Sequence, residues 1–314
     1  MPVQSASVLP DSKSESLRPS IETRFKHQVG LLLISPWLVG LLAFKLVPIL
    51  ASLVLSFTDY QLLHPGEAQF IGIQNYRAVV RDATAGTVLW QTVRLALVFI
   101  PLQLAASICI AGLLGDRRLW LKNTVRTLFF LPSIIPAFAA TLMWRGYLDP
   151  GMGWIHILLE PLGLDGLLGQ GSAAGLDFIL ALTSLWTIGP SILILLGAFQ
   201  NIPHEIYEAA KLDGAGWLRR FLSMTVPLIT PAIFFSLVLN LTAIFGGAIL
   251  LDRGSTYRGE ISSYDGYVNY VLLDLFRVGY ASSLAWVFFL VVLFVILILF
   301  GTSRYWVYFP ERER

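Results

Sequence analysis

Long uninterrupted apolar stretches recur along this sequence, and they limit the possible folds more than any other feature. A helix needs about 20 largely apolar residues to cross the hydrocarbon core of a bilayer. Six segments meet this requirement, at residues 29–57, 88–114, 125–147, 176–199, 226–251 and 282–301. Strands of a membrane barrel would alternate apolar and polar residues, whereas these segments are continuously apolar. The sequence therefore predicts an all-α, polytopic membrane protein with six transmembrane helices.

The composition supports an integral membrane protein. Hydrophobic residues make up 56% of the 314 residues, and charged residues make up only 13%. A soluble domain usually carries about 25% charged residues, so the alternative, a large soluble α/β core, is disfavoured. The formal net charge of +2 is too small to indicate a nucleic-acid partner. The single cysteine, Cys109, excludes an intrachain disulfide bond.

Lysine and arginine residues outside the predicted spans are concentrated in alternate segments, and this pattern orients the chain. The richer set is Lys13, Arg18, Arg24, Lys26, Arg117, Arg118, Lys122, Lys211, Arg219, Arg220, Arg304, Arg312 and Arg314. The poorer set is Arg77, Arg81, Arg253, Arg258 and Arg277, and acidic residues are mixed with it. Because basic loops face the cytoplasm, we expect both termini and the loop between spans four and five to be cytoplasmic.

These assignments divide the chain into five parts. They are a disordered cytoplasmic tail (1–27), the first transmembrane helix (28–58), an extracytoplasmic loop (59–87), a core of five helices (88–303) and a cytoplasmic tail (304–314). The N-terminal tail is rich in serine, proline and charge, which is typical of disorder. The first apolar stretch is far longer than the ~7–15 apolar residues of a signal peptide, and we expect it to remain in the protein.

The stretch "IPHEIYEAAKLDGAGW", residues 202–217, is charged and helix-prone although apolar spans flank it. Pro203 suits a helix start, and Glu205 and Glu208 would complement the positive end of the helix dipole. Gly214 suits a helix C-cap, after which "WLRRF" can begin a second helix. Helical spacing puts Ile202, Ile206 and Ala209 on one side. The pattern fits either an ordinary surface helix or a docking helix-turn-helix, whereas a zinc helix would need histidine where Glu208 stands.

Several segments in order resemble one family of membrane proteins. "EAAKLDGA" followed by "FLSMTVPLITP" resembles the EAA loop of bacterial ABC importer permeases. "FIGIQNYRAVV", "RTLFFLPSIIPAFAATLMWRGYLDPGMGWI", "LGAFQNIPHEIYEAA" and "GYASSLAW" resemble the carbohydrate branch, the maltose and glycerol-phosphate permease group, over about residues 70–285. The sequence departs from the family in two places. No proline follows Gly246-Gly247, and "QTVR" stands where an Asn-Thr pair is usual.

The resemblance implies the ABC type I importer permease fold, with residues 88–303 as the transmembrane type-1 core and a cytoplasmic coupling loop at 202–221. It implies that the coupling helix docks into a cytoplasmic ABC ATPase dimer. The positions that match the family motif are Glu208, Ala209, Ala210, Asp213 and Gly214. It further implies a second, related permease subunit, an extracytoplasmic solute-binding protein and a bacterial inner membrane.

No enzyme motif is visible in the chain. A phosphate-binding loop of the G-x-x-x-x-G-K-[ST] type does not occur, and no Gly-Lys dipeptide is present. The four histidines are scattered, and no catalytic triad can be assembled from the sequence. We therefore expect a transport subunit with no cofactor or metal of its own, whose partner ATPase binds ATP and magnesium.

Polar side chains at bilayer depth are costly, and they are candidates for the substrate path. They are Gln103, Trp186, Thr187, Asn240 and Thr242. Aromatic rings and amides suit a sugar or oligosaccharide, although such side chains also join helices to one another. Two alternatives stay open: the same architecture importing glycerol phosphate or another polar solute, and a secondary transporter that needs no ATPase.

Overall fold

Helices make up the regular structure of the residues that the computed structural model describes, which are 32–115, 122–147, 153–163, 185–245 and 263–308. Four helices among them are long and apolar enough to cross a membrane; they are Leu32–Leu55, Ala83–Gly115, Trp217–Ala243 and Val278–Trp306. The predicted all-α membrane fold is confirmed. In these residues the β-structure is one isolated antiparallel bridge between Thr58 and Phe70.

The helices are numbered here in chain order. They are α1 (Leu32–Leu55), α2 (Gln74–Arg81), α3 (Ala83–Gly115), α4 (Lys122–Phe130), α5 (Ala137–Tyr147), α6 (Trp154–Leu159), α7 (Gly189–Gln200), α8 (His204–Leu212), α9 (Trp217–Arg220), α10 (Val226–Phe245), α11 (Tyr264–Leu273) and α12 (Val278–Trp306). A π-helical turn, Phe221–Thr225, joins α9 and α10 into one continuous helix. The chain divides into two units, residues 1–52 and 53–314. No described residue of the first unit is buried.

The predicted third span, residues 125–147, is two helices, and its prediction as one continuous helix was wrong. After α4 the chain forms a 3-10 turn, Leu131–Ile134, and Ile135 is extended before α5 begins. Pro132 and Pro136 explain the break, because proline lacks the N–H that a helix interior needs. Proline also disfavours the helical conformation of the residue before it, here Ile135.

The other predicted spans agree in position with helices, but their boundaries differ. The second helix, α3, begins at residue 83 rather than 88, and the predicted loop 59–87 contains all of α2. The last helix, α12, continues to Trp306, so the predicted tail at 304 begins inside a helix. The predicted tail 1–27, the first part of the fourth span up to residue 184 and Gly246-Gly247 lie outside the described residues.

The two larger apolar clusters among the described residues hold the second unit together, and α3 contributes to both. One joins α3, α7 and α10 through Ala111, Ile192, Leu195 and Ile229, all of which are buried. The Phe199 ring of α7 lies close to Gly112 of α3, where it would be in ordinary van der Waals contact with an added methyl group. The other cluster joins α3, α11 and α12 through buried side chains that include Val88, Tyr264, Val271 and Leu284.

The second unit has two ends, and α3, whose 33 residues span at most about 50 Å at a rise of about 1.5 Å each, runs between them. We call them the loop end, which holds α8 and the start of α10, and the Asp82 end, where α3 begins. The long helix α12 starts at the Asp82 end. Its other end reaches the loop end, where the Tyr308 N–H donates to the Thr230 hydroxyl at 2.8 Å. The assignment of the loop end to the cytoplasm stays a prediction from the basic residues.

Candidate functional site

The loop helix α8 packs on the bundle through one narrow face. Ile202 and Ala210 are buried and Ile206 is half-buried. The two isoleucines join the cluster of α3, α7 and α10. The sequence had placed Ala209 on this face, but steps of four residues from Ile202 lead to Ala210 instead, and Ala209 is exposed.

Gly214 terminates α8 in a Schellman motif. Its φ of +72° is in the left-handed region, where glycine carries no steric penalty from a Cβ atom. The N–H of Ala215 donates to the carbonyl of Ala210 at 2.9 Å, and the N–H of Gly214 donates to that of Lys211 at 3.1 Å. These bonds satisfy the last carbonyls of α8 and turn the chain into α9. The predicted helix-turn-helix is therefore present, with Asp213 as the C-cap residue.

The outer surface of α8 is exposed in the part of the chain that the structure describes. Glu208, Ala209, Asp213 and Gly214 are all exposed, so four of the five motif residues are available to another molecule. Ala210 is only 1% exposed, and its small side chain serves packing within the chain. Sequence reasoning missed Leu212, which is next to the motif and 90% exposed. An acidic and apolar surface of this kind can dock a protein partner.

A layer of polar side chains joins α3, α7 and α10; it is buried or half-buried except at Thr187, which is exposed. Gln103 is 5% exposed, and its amide donates to the Thr187 hydroxyl at 3.4 Å. The Ser191 hydroxyl donates to the amide oxygen of Asn240 at 3.2 Å. Two predicted path residues are therefore in direct contact, and a third contacts a serine that sequence reasoning did not identify.

The polar layer, which we define as Gln103, Ser107, Thr187, Ser191, Ser236 and Asn240, consists of three pairs with four-residue spacing. Gln103 and Ser107 lie on one turn of α3, and Ser236 and Asn240 lie on one turn of α10. Thr187 and Ser191 lie on either side of the start of α7. The hydroxyls of Ser107 and Ser236 and the amide nitrogen of Asn240 have no hydrogen-bond partner among the described residues. The four-residue spacing from the predicted residues was the sequence signal that could have identified the three serines.

The remaining predicted path residues occupy different environments. Trp186 is half-buried, and its ring meets that of Trp144 edge-on with the centroids 5.5 Å apart. The indole nitrogens of both rings are buried without a hydrogen-bond partner among the described residues. Thr242 is exposed, and its hydroxyl bonds to carbonyls of its own helix at 2.8 and 3.0 Å. The structure does not bring Thr242 into the polar layer.

A second polar cluster, also missed by sequence reasoning, lies at the Asp82 end. The Asp82 carboxylate accepts hydrogen bonds from the hydroxyls of Tyr267 (2.5 Å) and Tyr280 (2.7 Å). It also accepts the backbone N–H groups of Thr84 and Ala85, which begin α3. Burial raises the pKa of the Asp82 carboxyl, but these four hydrogen bonds outweigh it and hold the pKa below its ordinary value.

Two of the sequence segments that carried the family resemblance meet beside Asp82. In "FIGIQNYRAVV", the Asn75 amide donates to the carbonyls of Ser56 (2.9 Å) and Thr58 (2.7 Å). In "GYASSLAW", the Gly279 N–H donates to the carbonyl of Tyr60 at 3.0 Å. These segments therefore build the structure of the Asp82 end.

Metal ligands are not clustered in the part of the chain that the structure describes, where no group of three His, Cys, Asp or Glu side chains could hold an ion.

Comparison with known proteins matches the chain to permeases of transport systems. The family described as "Binding-protein-dependent transport system inner membrane component" matches residues 107–309. The probable ABC transporter permease protein YesP of Bacillus subtilis is 34% identical over 96% of this chain and 98% of its own. The arabinooligosaccharides transport system permease protein AraP of the same organism is 27% identical over 87% of this chain and 88% of its own.

A solved structure shares the fold. It is the crystal structure of a bacterial alginate ABC transporter in complex with an alginate pentasaccharide-bound periplasmic protein. The matched chain is 20% identical with a TM-score of 0.72, and the match covers 90% of this chain and 96% of that one.

Proposed function

Because the chain belongs to the family of binding-protein-dependent transport system inner membrane components, we propose that it is the transmembrane permease subunit of an ATP-driven ABC importer. It moves a solute into the cytoplasm by alternating access, and a separate ATPase subunit powers the movement. The observation that carries this proposal is α8: it is packed on the bundle along one face, and its outer face leaves the family motif exposed.

The proposed docking uses the exposed residues of the loop end. Glu208 makes a charge contact with the ATPase, Ala209 permits close approach, and Asp213 with Gly214 sets the angle between α8 and α9. Ala210 belongs to the same site because its side chain packs α8 against the bundle. Nucleotide binding closes the ATPase subunits and carries α8 with them, so the energy comes from the different affinities of the inward-facing and outward-facing states for nucleotide and solute.

The proposed solute is a sugar or oligosaccharide. The polar layer offers amides and hydroxyls, which pair with sugar hydroxyls, and the exposed part of Trp186 offers a ring for stacking on a sugar face. No residue of this layer is charged, which disfavours an anionic solute such as glycerol phosphate. The name of AraP, a permease for arabinooligosaccharides, supports the same class.

The proposed assembly has three further components. They are an ATPase dimer, which binds ATP and magnesium, a second permease subunit of related sequence, and a solute-binding protein that delivers the solute. The chain itself binds no cofactor and catalyses no reaction. It lies in the bacterial inner membrane with the loop end and both termini in the cytoplasm. The solute-binding protein docks at the Asp82 end.

The first test is purification of the tagged chain from a mild detergent. We expect an ABC ATPase to be retained with it. The variant Gly214→Val should lower ATPase retention and solute uptake several-fold, because a β-branched residue is strained at a φ of +72°. The matched control is Gly301→Val on α12, which lies outside the coupling loop and has open space around an added Cβ atom.

The control variant should behave like the wild type. Purification of the wild-type chain without any ATPase, or normal uptake by Gly214→Val, would contradict the proposed function. The first of these results would favour the secondary transporter.

A further inference from the structure

Both π-helical turns among the described residues lie shortly before a proline. Leu42–Leu46 comes two residues before Pro48, and Phe221–Thr225 comes two residues before Pro227. In a regular α-helix the proline ring collides with the carbonyl four residues earlier, which lies inside the π-helical turn in each case. The wider π-helical turn relieves this collision, and such turns are frequent at functional sites.

The second turn has a contact that the first lacks in the described residues: a side chain of the loop helix holds it. The Tyr207 hydroxyl of α8 lies 2.9 Å from the hydroxyl of Thr225, which is the last residue of the turn and only 3% exposed. The Thr225 hydroxyl also lies 3.4 Å from the Arg220 carbonyl and donates to it. Because a hydroxyl carries one proton, the Thr225 oxygen accepts from Tyr207 in this arrangement.

The helix above this turn carries the polar layer. Ser236 and Asn240 are on α10, which continues from Thr225 without a break. Ile206 of α8 also contacts the cluster that α10 shares, and apolar contacts of this kind are not directional. The Tyr207–Thr225 hydrogen bond is directional, and it therefore fixes the position of α8 relative to the base of α10.

We propose that Tyr207 is a positioning residue that transmits movement of α8 to the π-helical turn and hence to α10. When the ATPase displaces α8, the Tyr207 hydroxyl displaces Thr225, and the turn serves as the hinge about which α10 reorients the polar layer. This inference rests on the proposed function, since it needs an ATPase that moves α8.

The test follows the movement of α10 directly, and it does not require the identity of the solute. The only cysteine, Cys109, is replaced by serine, and Thr242→Cys on α10 carries an environment-sensitive bimane fluorophore. The complex with its ATPase is placed in lipid nanodiscs, and MgATP with vanadate is added. ATP hydrolysis is measured in parallel. The labelled chain that carries only these two substitutions should show a nucleotide-dependent change in fluorescence.

Tyr207→Phe and Thr225→Val each remove one hydroxyl. We expect both variants to retain the ATPase and its hydrolysis, while the fluorescence change falls several-fold. The double variant should lose no more than either single variant, because both remove the same bond. Thr225→Ser keeps the hydroxyl and should retain the response. Thr302→Val is the matched control: that residue is exposed on α12 and bonds only within its own helix in the described structure.

The possible results separate this inference from the proposed function. An unchanged fluorescence response in Tyr207→Phe, or losses that add in the double variant, would overturn the role of Tyr207 alone. Loss of the bound ATPase from Tyr207→Phe would also overturn it, because the hydroxyl would then serve docking rather than transmission. A wild-type chain that retains no ATPase would overturn the proposed function and this inference together.

Discussion

Asp82 joins segments that are far apart in the sequence. Its carboxylate accepts hydrogen bonds from tyrosine hydroxyls on α11 and α12 and from two backbone N–H groups at the start of α3. The guanidinium of Arg277 lies over the Tyr280 ring, 4.9 Å from its centroid, and adds a favourable cation–π contact. Burial and the bond to Asp82 raise the pKa of the Tyr267 hydroxyl, which therefore remains a donor at physiological pH.

This cluster predicts a pH-dependent stability. Because the pKa of Asp82 is lowered by folding, its stabilising contribution is fully present above about pH 4, the unfolded value, and is lost as the pH falls through the lower folded value. Asp82→Asn should therefore melt at a lower temperature than the wild type at pH 7, and the difference should shrink below about pH 4. Thermal unfolding in nanodiscs from pH 7 to pH 3 measures it.

Asp274→Asn, which changes an exposed carboxylate after α11, is the control and should leave melting unchanged at every pH. A melting difference for Asp82→Asn that is as large at pH 3 as at pH 7 would show that ionisation of Asp82 does not contribute.

At the scale of elements, the close approach of α12 to the segment after α1 depends on a glycine. A methyl group at Gly279 would collide with the carbonyl oxygen of Thr58, whereas Gly301 on the same helix has open space around it. Backbone carbonyls cannot move aside as a flexible side chain can. The two glycines therefore form a matched pair for testing how α12 is seated.

Gly279→Ala should destabilise the protein by about 1–3 kcal/mol, the usual cost of forcing an extra carbon into a packed site. Gly301→Ala should be neutral or stabilising by up to about 1 kcal/mol, because alanine favours a helix more than glycine does. Denaturant or thermal unfolding of the two purified variants measures both effects. Equal stability of the two variants would contradict the close packing of Gly279 against the Thr58 carbonyl.

The elements that could be predicted from the sequence are those that a local pattern determines. The length of the apolar runs predicted the long helices. "LDGAG" predicted the turn at Gly214, because a helix end of this kind needs a residue in the left-handed backbone conformation, which glycine adopts readily. The break between α4 and α5 was missed because apolarity was weighed above the two prolines. The three serines of the polar layer each lie four residues from a predicted residue, a local signal that was not used. The Asp82 cluster could not be found from local pattern alone, because its partners are distant in the chain.

At the scale of the whole molecule, the chain is a multi-pass inner-membrane permease of the ABC importer family, and its two candidate sites are connected through one helix. The loop end presents α8 to a partner, and α10 runs from that end to the polar layer. Movement imposed on α8 can therefore reach the proposed solute path without passing through a flexible loop. This arrangement is what a transporter with a separate motor requires.

The proposed function requires that solute crosses the membrane only when the ATPase docked at the loop end hydrolyses ATP. The most direct measurement is uptake into proteoliposomes that contain the copurified complex, with the solute-binding protein and its bound sugar outside. We predict that the sugar accumulates against its gradient with MgATP inside, and that ADP inside gives none. Equal accumulation without ATP, or accumulation driven by an ion gradient alone, would contradict the account.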